Sequence, residues 1–251
     1  MNKGFYDSLA PYYKLVYEDW EKSVETQARD LDSLIKEYIG DKRRLLDVSC
    51  GIGTQCIGLA ALGYEVSASD ISSEAVNLAK VEAEKRSLRI NFKIADMRDV
   101  STSWKGKFDI ILSGDNSVPH LLTGEELLRA FRGFFDALRP GGGVMVTIRD
   151  YRNINPENRS YILNPRRVHY VQGTKIVLFD LWEFEGKYYN LTMYIIRDDE
   201  KADLETISLR TRYYCLTPDQ LAGMMEKAGF TDVQVLEERF FQPVIIGIRQ
   251  P

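Results

Sequence analysis

Small residues and nearby acids mark the stretch of this chain whose residue types could bind a ligand. An apolar run over 44–48 leads into small residues, and a helical pattern over 55–62 follows them. Glycine suits such a turn, because without a Cβ it lets a ligand approach the backbone. Strand, glycine turn and helix form the ligand-binding corner of a doubly wound α/β sheet, which predicts a nucleotide-type ligand. The candidate binding residues in this stretch are Asp47, Ser49, Cys50, Gly51 and Gly53.

The spacing of these glycines disfavours a dinucleotide. A G-x-G-x-x-G motif that begins at Gly51 requires glycine at position 56, where Cys56 stands. A start two residues earlier requires glycine at position 49, where Ser49 stands. An NAD-dependent oxidoreductase is therefore a distant alternative. A strand-to-helix turn that binds no ligand is the other alternative.

An acid stands at the end of the next predicted strand, which covers residues 64–69. Asp70 follows the glycine turn by about 20 residues, where an acid can accept hydrogen bonds from both ribose hydroxyls. We expect Ile71, beside it, to pack on the adenine ring. The alternative is that Asp70 only caps the helix predicted over 73–86.

Two later strands predict which other residues face the ligand. The fourth strand covers 108–113 and leads into the loop 114–121, and the fifth strand covers 144–148. Ligands of open α/β sheets bind outside the carboxyl ends of the strands. We therefore expect Ser113 and Asp115 to lie beside the ligand.

The rest of the chain is expected to cover this site. Apolar spacing predicts helices over 20–38 and 124–138, separated from the fifth strand by a turn at 139–143. Residues 155–214 are predicted to be an antiparallel insertion between the fifth and sixth main strands. With residues 1–20, this insertion would form a lid. The predicted hairpin strands are 167–172, 175–185, 188–197 and 204–214, and a terminal hairpin pairs 232–237 with 243–248.

The D-x-S-C-G-x-G pattern of residues 47–53 resembles motif I of class I S-adenosylmethionine (SAM)-dependent methyltransferases. The L-R-P-G-G run at 138–142 resembles the turn before the fifth strand of those enzymes. The resemblance implies an α/β, Rossmann-like, seven-stranded mixed sheet of order 3-2-1-4-5-7-6, flanked by helices, with the antiparallel lid inserted. It also implies SAM as the cofactor, with Asp96 at the adenine amino group and the Met97 backbone N–H at the ring. We expect one domain over 1–251, with a helical cap over 1–40.

Three short stretches are similar to the glycine N-methyltransferase group and its sarcosine and dimethylglycine relatives. They lie at 114–121, at 148–151 and at the tyrosine pair 213–214. An arginine at a strand's carboxyl end can bind a substrate carboxylate through its planar fork. The candidate catalytic residues are Arg149 for the carboxylate, Asn116 for orientation, Tyr151, Tyr213 and Tyr214 for the amine, and His120 for the released proton.

Two of these residues have an ordinary structural interpretation that stays open. Arg149 could pair with Asp150 or with an acid of the insertion. His120 could be a hydrogen-bonded structural histidine.

Composition limits the classes of function. The net charge of −4, from 33 basic and 37 acidic residues, is no footprint for nucleic acid, and no loop of RNA-methyltransferase type follows the fourth strand. No apolar run approaches the roughly 18 residues of a membrane span. The N-terminus has no apolar signal core, which predicts a cytoplasmic protein. Three cysteines and two histidines form no ligand set, so no metal is predicted.

The sequence thus predicts SAM-dependent methyl transfer to a small-molecule amine such as glycine, sarcosine or a similar amino acid. One alternative is O- or N-methylation of a different small molecule. A second alternative is a SAM- or nucleoside-binding domain without turnover. The sequence leaves the oligomeric state open.

Overall fold

We describe residues 3–152, 161–199 and 204–251 of a computed structural model of the chain. The strands are β1 (Arg44–Asp47), β2 (Glu65–Asp70), β3 (Asn91–Ile94), β4 (Phe108–Ser113), β5 (Leu138–Thr147), β6 (Tyr161–Val171), β7 (Thr174–Glu185), β8 (Tyr188–Asp198), β9 (Glu205–Tyr214), β10 (Thr231–Leu236) and β11 (Val244–Ile248). The helices are α1 (Lys3–Leu9), α2 (Trp20–Tyr38), α3 (Thr54–Ala61), α4 (Ser73–Lys85), α5 (Val100–Ser103), α6 (Gly124–Ala137) and α7 (Pro218–Lys227). A 3₁₀ segment, Ala10–Val16, joins α1 to the loop before α2.

The main sheet has seven strands in the order β3-β2-β1-β4-β5-β11-β10. β1 to β5 are parallel, and β11 runs antiparallel between β5 and β10. With β10 and β11 as the sixth and seventh main strands, the predicted order 3-2-1-4-5-7-6 is confirmed. Because the parallel strands all end at one edge, the loops after β1, β2, β4 and β5 lie near one another.

Helices on both faces explain why the central strands are apolar throughout. Leu45 and Leu46 are both fully buried, and they belong to separate cores on the two sides of the sheet. On one side, α2 packs closely on α3. Gly58 permits this approach, since a Cβ there would lie 2.4 Å from the backbone oxygen of Val24.

A second sheet, antiparallel and of order β6-β7-β8-β9, lies in the chain between β5 and α7. Alternate residues of β8, among them Tyr189, Leu191 and Met193, are buried on its inner face. They form a third core with α1 residues Phe5 and Leu9. Residues 1–2, 155–160 and 200–203 of the predicted cap and insertion lie outside the described residues, and the single-domain organisation stays a prediction.

The turn predicted at 139–143 is wrong, because β5 begins at Leu138. The glycines there join the sheet. The N–H of Gly141 donates to the oxygen of Arg249 at 2.7 Å, and the N–H of Arg249 donates to Gly142 at 2.8 Å. A strand that enters the sheet through Gly143 also leaves room for Ile39, which a Cβ at that position would meet at 2.7 Å.

Candidate active site

The glycine turn after β1 uses its two glycines for different purposes. Gly51 has a φ of +51°, and a Cβ built on it would meet nothing within 4 Å, so this backbone faces open space. Gly53 has a φ of +98° and caps α3, and a Cβ there would lie 2.5 Å from Cδ1 of Ile57. Gly51 therefore leaves room for a ligand, whereas Gly53 permits the close packing of the helix.

Asp47 ends β1 under this turn and keeps one carboxylate oxygen without a partner. Its Oδ1 accepts the N–H of Ser49 at 3.1 Å, while its buried Oδ2 has no hydrogen-bond partner among the described residues. Burial raises the pKa of Asp47 to about 7, and the nearby charge of Asp70 adds to this shift. A buried acceptor without a donor is costly, so the site suits a ligand that brings a cationic donor.

Asp70 ends β2 and is tied to the glycine turn. Its two oxygens accept the N–H groups of Gly51 and Ser72, both at 2.9 Å. Burial raises the pKa of Asp70, although these backbone donors oppose the shift. Ser72 is the N-cap of α4, since its hydroxyl accepts the N–H of Ala75 at 3.1 Å, so capping does not occupy Asp70. Each carboxylate oxygen keeps a further lone pair for a ligand hydroxyl.

The remaining predicted cofactor residues lie around the same edge. Ser49 and Ser113 meet through their hydroxyls at 3.0 Å, which joins the ends of β1 and β4. Asp96 follows β3 as expected, but Arg98 binds both of its oxygens, at 3.0 and 2.6 Å. Burial opposes the effect of Arg98, which nevertheless holds the pKa of Asp96 below its usual value. Ile71 is half-buried, whereas Met97 and Cys50 are buried.

A cavity of about 300 Å³ lies beside these residues, between the N-terminal segment and the inner face of the antiparallel sheet. Its apolar walls are Phe5, Leu9, Val16, Leu191, Met193 and Phe241. Its polar groups come from Tyr6, Tyr13, Tyr17, Tyr213, Asp115, Arg149 and Gln242. No residue of the glycine turn lines it, so the cavity lies beside the turn and not on it.

Arg149 reaches this cavity from the end of β5 and lies on aromatic rings. Its Nη1 donates to the hydroxyl of Tyr189 at 2.7 Å, and its guanidinium lies 5.1 Å from the ring centre of Trp182. It makes no ion pair with any described residue, and Asp150 pairs with Arg152 at 2.9 Å instead. Arg149 therefore brings to the cavity a positive charge without an ion pair, although the charge of Asp115, which lines the same cavity, acts on it from a distance.

Asn116 and Tyr151 lie behind Arg149 and do not line the cavity. The Asn116 Oδ1 accepts the backbone N–H of Arg149 at 2.9 Å, and its Nδ2 donates to the Tyr151 hydroxyl at 3.1 Å. Both residues are buried. This arrangement does not favour the expected contact of Asn116 or Tyr151 with a substrate. Both ends of the Asn116 amide already make hydrogen bonds within the protein. Asn116 and Asp115, with φ of +60° and +50°, turn the chain sharply after β4.

His120 is buried one contact behind the cavity wall. Its Nε2 lies 2.5 Å from the hydroxyl of Tyr6, and its Nδ1 lies 3.4 Å from Thr211 Oγ1. Burial, with a smaller effect from the charge of Arg149, lowers the pKa of His120 to about 3. A neutral imidazole with so low a pKa orients Tyr6 and is a poor acceptor for a proton.

The predicted tyrosine pair is divided between the two faces of β9. Tyr213 lines the cavity and stacks on Tyr189, with ring centres 4.8 Å apart. Tyr214 packs instead on Tyr188, with ring centres 5.4 Å apart. Successive residues of a strand point to opposite faces, so the two hydroxyls of this pair cannot reach the same cavity.

Four polar residues of the cavity carry no role in the predicted site. Tyr6, Tyr13 and Tyr17 lie in the polar–aromatic N-terminal stretch, whose composition was the available signal. Gln242 donates from Nε2 to Asp115 at 3.1 Å and accepts the Thr147 hydroxyl at 2.9 Å. No local pattern in the sequence joins Gln242 to Asp115.

Known proteins share parts of this sequence and its fold. A family model described as "Methyltransferase domain" matches residues 45–142, which include the glycine turn, Asp70 and β4. The fold is that of the crystal structure of Streptomyces venezuelae DesVI, with a TM-score of 0.80 and 21% identity, over 94% of this chain and 96% of that one. Residues 45–142 thus match a methyltransferase domain, and these sequence and fold matches support a class I methyltransferase.

Two curated relatives of this methyltransferase are N-methyltransferases. A dTDP-3-amino-3,4,6-trideoxy-alpha-D-glucopyranose N,N-dimethyltransferase of Streptomyces venezuelae is 31% identical over 137 residues, 55% of this chain and 55% of that protein. A glycine/sarcosine N-methyltransferase of Parasynechococcus marenigrum (strain WH8102) is 28% identical over 135 residues, 54% of this chain and 46% of that protein. The methyltransferase thus spans about half the length of these relatives.

None of the helices among the described residues is long and apolar enough to cross a membrane. No group of three or more His, Cys, Asp or Glu side chains in that part of the chain is arranged to hold a metal ion.

Proposed function

We propose that this methyltransferase transfers a methyl group from SAM to the nitrogen of a small amine that carries a carboxylate, such as an amino acid. The observation that carries the proposal is Arg149, a cation that lines the cavity next to the glycine turn without an ion pair. A planar guanidinium binds a carboxylate through two parallel hydrogen bonds.

The residues at the strand ends fit SAM. Gly51 leaves open space, Asp70 has acceptor capacity for ribose hydroxyls, and Asp47 offers a buried oxygen without a donor. We assign Asp47 to the ammonium group of the ligand, because a cationic donor would satisfy that oxygen and favour its ionised form. Ser49, Cys50, Gly53, Ile71, Asp96, Met97, Ser113 and Asp115 remain proposed cofactor contacts.

When bound, SAM supplies a methyl group on a positively charged sulfur, whose C–S electron pair returns to sulfur as the C–N bond forms. This chain's residues then have to position a neutral amine and accept its N–H groups. Tyr6 is suited to this task, because its hydroxyl lies 2.5 Å from Nε2 of the neutral His120. In the tautomer whose Nε2 accepts, the Tyr6 hydroxyl donates to His120, and its oxygen can still accept an N–H. In this proposal His120 positions Tyr6, and the proton that the nitrogen loses passes to water.

The second candidate acceptor is an amine that is not an amino acid, such as an amino sugar. The relative named for a dTDP-amino sugar favours this candidate, because its match to the chain is as long as that of the glycine/sarcosine enzyme. A non-catalytic SAM-binding domain is the remaining alternative. It would bind SAM and yield no methylated product with any amine.

The experiment is a screen of amines with methyl-labelled SAM, followed by Arg149→Gln on the acceptor that reacts. Loss of a buried bidentate contact costs about 2–5 kcal/mol, so kcat/KM should fall about thirtyfold or more. Arg152→Gln is the matched control, since Arg152 is exposed and pairs with Asp150 and Glu237. Equal activity of Arg149→Gln and the wild type would exclude carboxylate binding by Arg149.

A further inference from the structure

Six of the thirteen residues that line the cavity beside the cofactor residues have apolar side chains. Leu191 and Met193 come from β8, and Phe5 and Leu9 come from α1, so the two sides face each other across the space. All four side chains are at least nine-tenths buried and belong to one core. The space is therefore a gap in a hydrophobic core that opens beside Arg149.

The volume of the cavity exceeds what a small zwitterion such as glycine would fill. A volume of about 300 Å³ would hold on the order of ten waters at roughly 30 Å³ each. Glycine has no side chain, so most of that water would stay against Phe5, Leu9, Leu191 and Met193. An apolar side chain on the acceptor would displace this water and complete the core, which favours binding.

The hydroxyl of Tyr13, like the charge of Arg149, is available to a ligand in the cavity. Tyr13 makes no hydrogen bond to another described residue, whereas Tyr17 next to it donates to Asp115 at 3.3 Å. Burial raises the pKa of Tyr13 well above its usual range, so the hydroxyl stays neutral. A neutral phenol oxygen can accept the N–H of an amine and so hold the nitrogen's lone pair in one direction.

We propose that the acceptor is an amino acid, or a similar amino carboxylate, with a bulky apolar or aromatic side chain. This inference rests on the proposed function. The carboxylate binds Arg149, the amine donates to the hydroxyl of Tyr13, and the side chain lies between α1 and β8. The methyl carbon forms a bond to the nitrogen as its bond to sulfur breaks, and the nitrogen's proton passes to water.

The first test compares glycine, alanine, leucine and phenylalanine as acceptors at saturating SAM, with mass spectrometry of the product. We expect kcat/KM to rise from glycine to leucine or phenylalanine by about tenfold or more, since each buried methylene adds discrimination. A preference for glycine, or equal use of all four, would overturn the inference and leave the proposed function intact. Binding of SAM without methylation of any amino acid would overturn both.

The second test narrows the cavity with Leu191→Phe. We expect kcat/KM for the large acceptor to fall about tenfold while that for alanine changes less than about twofold. Leu209→Phe is the matched control, because Leu209 is buried in the same core on the adjoining strand and does not line the cavity. An equal fall for both acceptors in Leu191→Phe, with an unchanged melting temperature, would contradict the placement of the side chain.

The third test concerns Tyr13. Tyr13→Phe removes the free hydroxyl and should lower kcat/KM for the acceptor about tenfold, the effect of one lost hydrogen bond, while the Kd of SAM changes little. Tyr12→Phe is the control, since Tyr12 belongs to the same aromatic stretch and does not line the cavity. Wild-type activity in Tyr13→Phe would exclude Tyr13 as the group that orients the amine.

Discussion

At the residue scale, two charged or polar groups of this site lack a direct partner among the described residues. Asp47 has a buried oxygen without a donor, and Arg149 has a charge without an ion pair to a described residue. Both lie at the carboxyl edge of the main sheet, one at the end of β1 and the other after β5. An ammonium group on the cofactor would pair with Asp47, and a carboxylate on the acceptor would pair with Arg149.

The Asp47→Asn substitution tests the unpartnered carboxylate through the pH dependence of the melting temperature. The pKa of Asp47 rises from 3.8 to about 7 on folding, so the folded protein holds a proton that the unfolded chain has lost. Stability therefore falls as pH rises from 3.8 to about 7, and the full penalty remains above that range. We expect the substitution to raise the melting temperature by several degrees at about pH 8 and to have no effect below about pH 4.

The same substitution should weaken SAM binding about tenfold, because the ammonium loses an ionised partner. Thermal melts across the pH range and calorimetry with SAM measure the two effects. Asp41→Asn is the control, since Asp41 is an exposed acid in the loop before β1. A melting temperature of Asp47→Asn that follows the wild type at every pH would contradict the raised pKa.

At the scale of elements, the unit of β1, glycine turn and α3 determines where a ligand can bind. Cys50 closes the turn on one side, since its N–H donates to Ser69 of β2 at 3.0 Å, and Gly53 begins the helix. The turn thus fixes β1, β2 and α3 relative to one another while it leaves the backbone of Gly51 accessible. Binding and folding therefore depend on different glycines of one short turn.

Gly51→Ala and Gly53→Ala form a matched pair that separates these roles. Gly53→Ala combines a positive φ with a clash at Ile57, and we expect it to lower the free energy of unfolding by about 2–4 kcal/mol. Gly51→Ala meets only the backbone cost of about 1–2 kcal/mol, but its methyl group enters the ligand space, so SAM affinity should fall more than stability. Chemical denaturation and calorimetry distinguish the two, and equal effects on both quantities would contradict the division.

At the scale of the whole molecule, the site joins parts of the chain that are far apart in sequence. The N-terminal segment supplies Tyr6 and Tyr13, the antiparallel sheet supplies Leu191 and Tyr213, and the terminal hairpin supplies Gln242. Each lies at the same edge of the main sheet. The cavity consequently exists only when the N-terminal segment, both sheets and the terminal hairpin are assembled.

Gln242→Ala tests the contribution of the terminal hairpin. Its amide holds Asp115 and the buried hydroxyl of Thr147, so its loss leaves buried polar groups without partners. We expect the free energy of unfolding to fall by about 1–3 kcal/mol and the KM of the acceptor to rise. Gln250→Ala, at the exposed end of the chain, should change neither quantity, and wild-type values in Gln242→Ala would show that Asp115 is positioned without the hairpin.

The sequence by itself determined the elements whose causes are local. The period of apolar residues predicted α2 and most strands of both sheets within a few residues, and small residues after β1 marked the glycine turn. The predicted start of β6 at residue 167 was wrong, because this strand begins at Tyr161. Asp70 was found because its distance from that turn follows from the length of one helix and one strand. The β5 boundary was wrong because the ladder to Arg249, which extends this strand through the glycines, depends on a distant segment.

Only the tertiary structure decided which candidate side chains reach the cavity. Arg149 and Tyr213 line it, whereas Asn116 and Tyr151 support Arg149 from behind and Tyr214 faces away. Tyr13 and Gln242 enter the site from the two ends of the chain. Local pattern cannot specify this, because the direction of a side chain and its unmet charge or hydrogen bond depend on what other segments place around it.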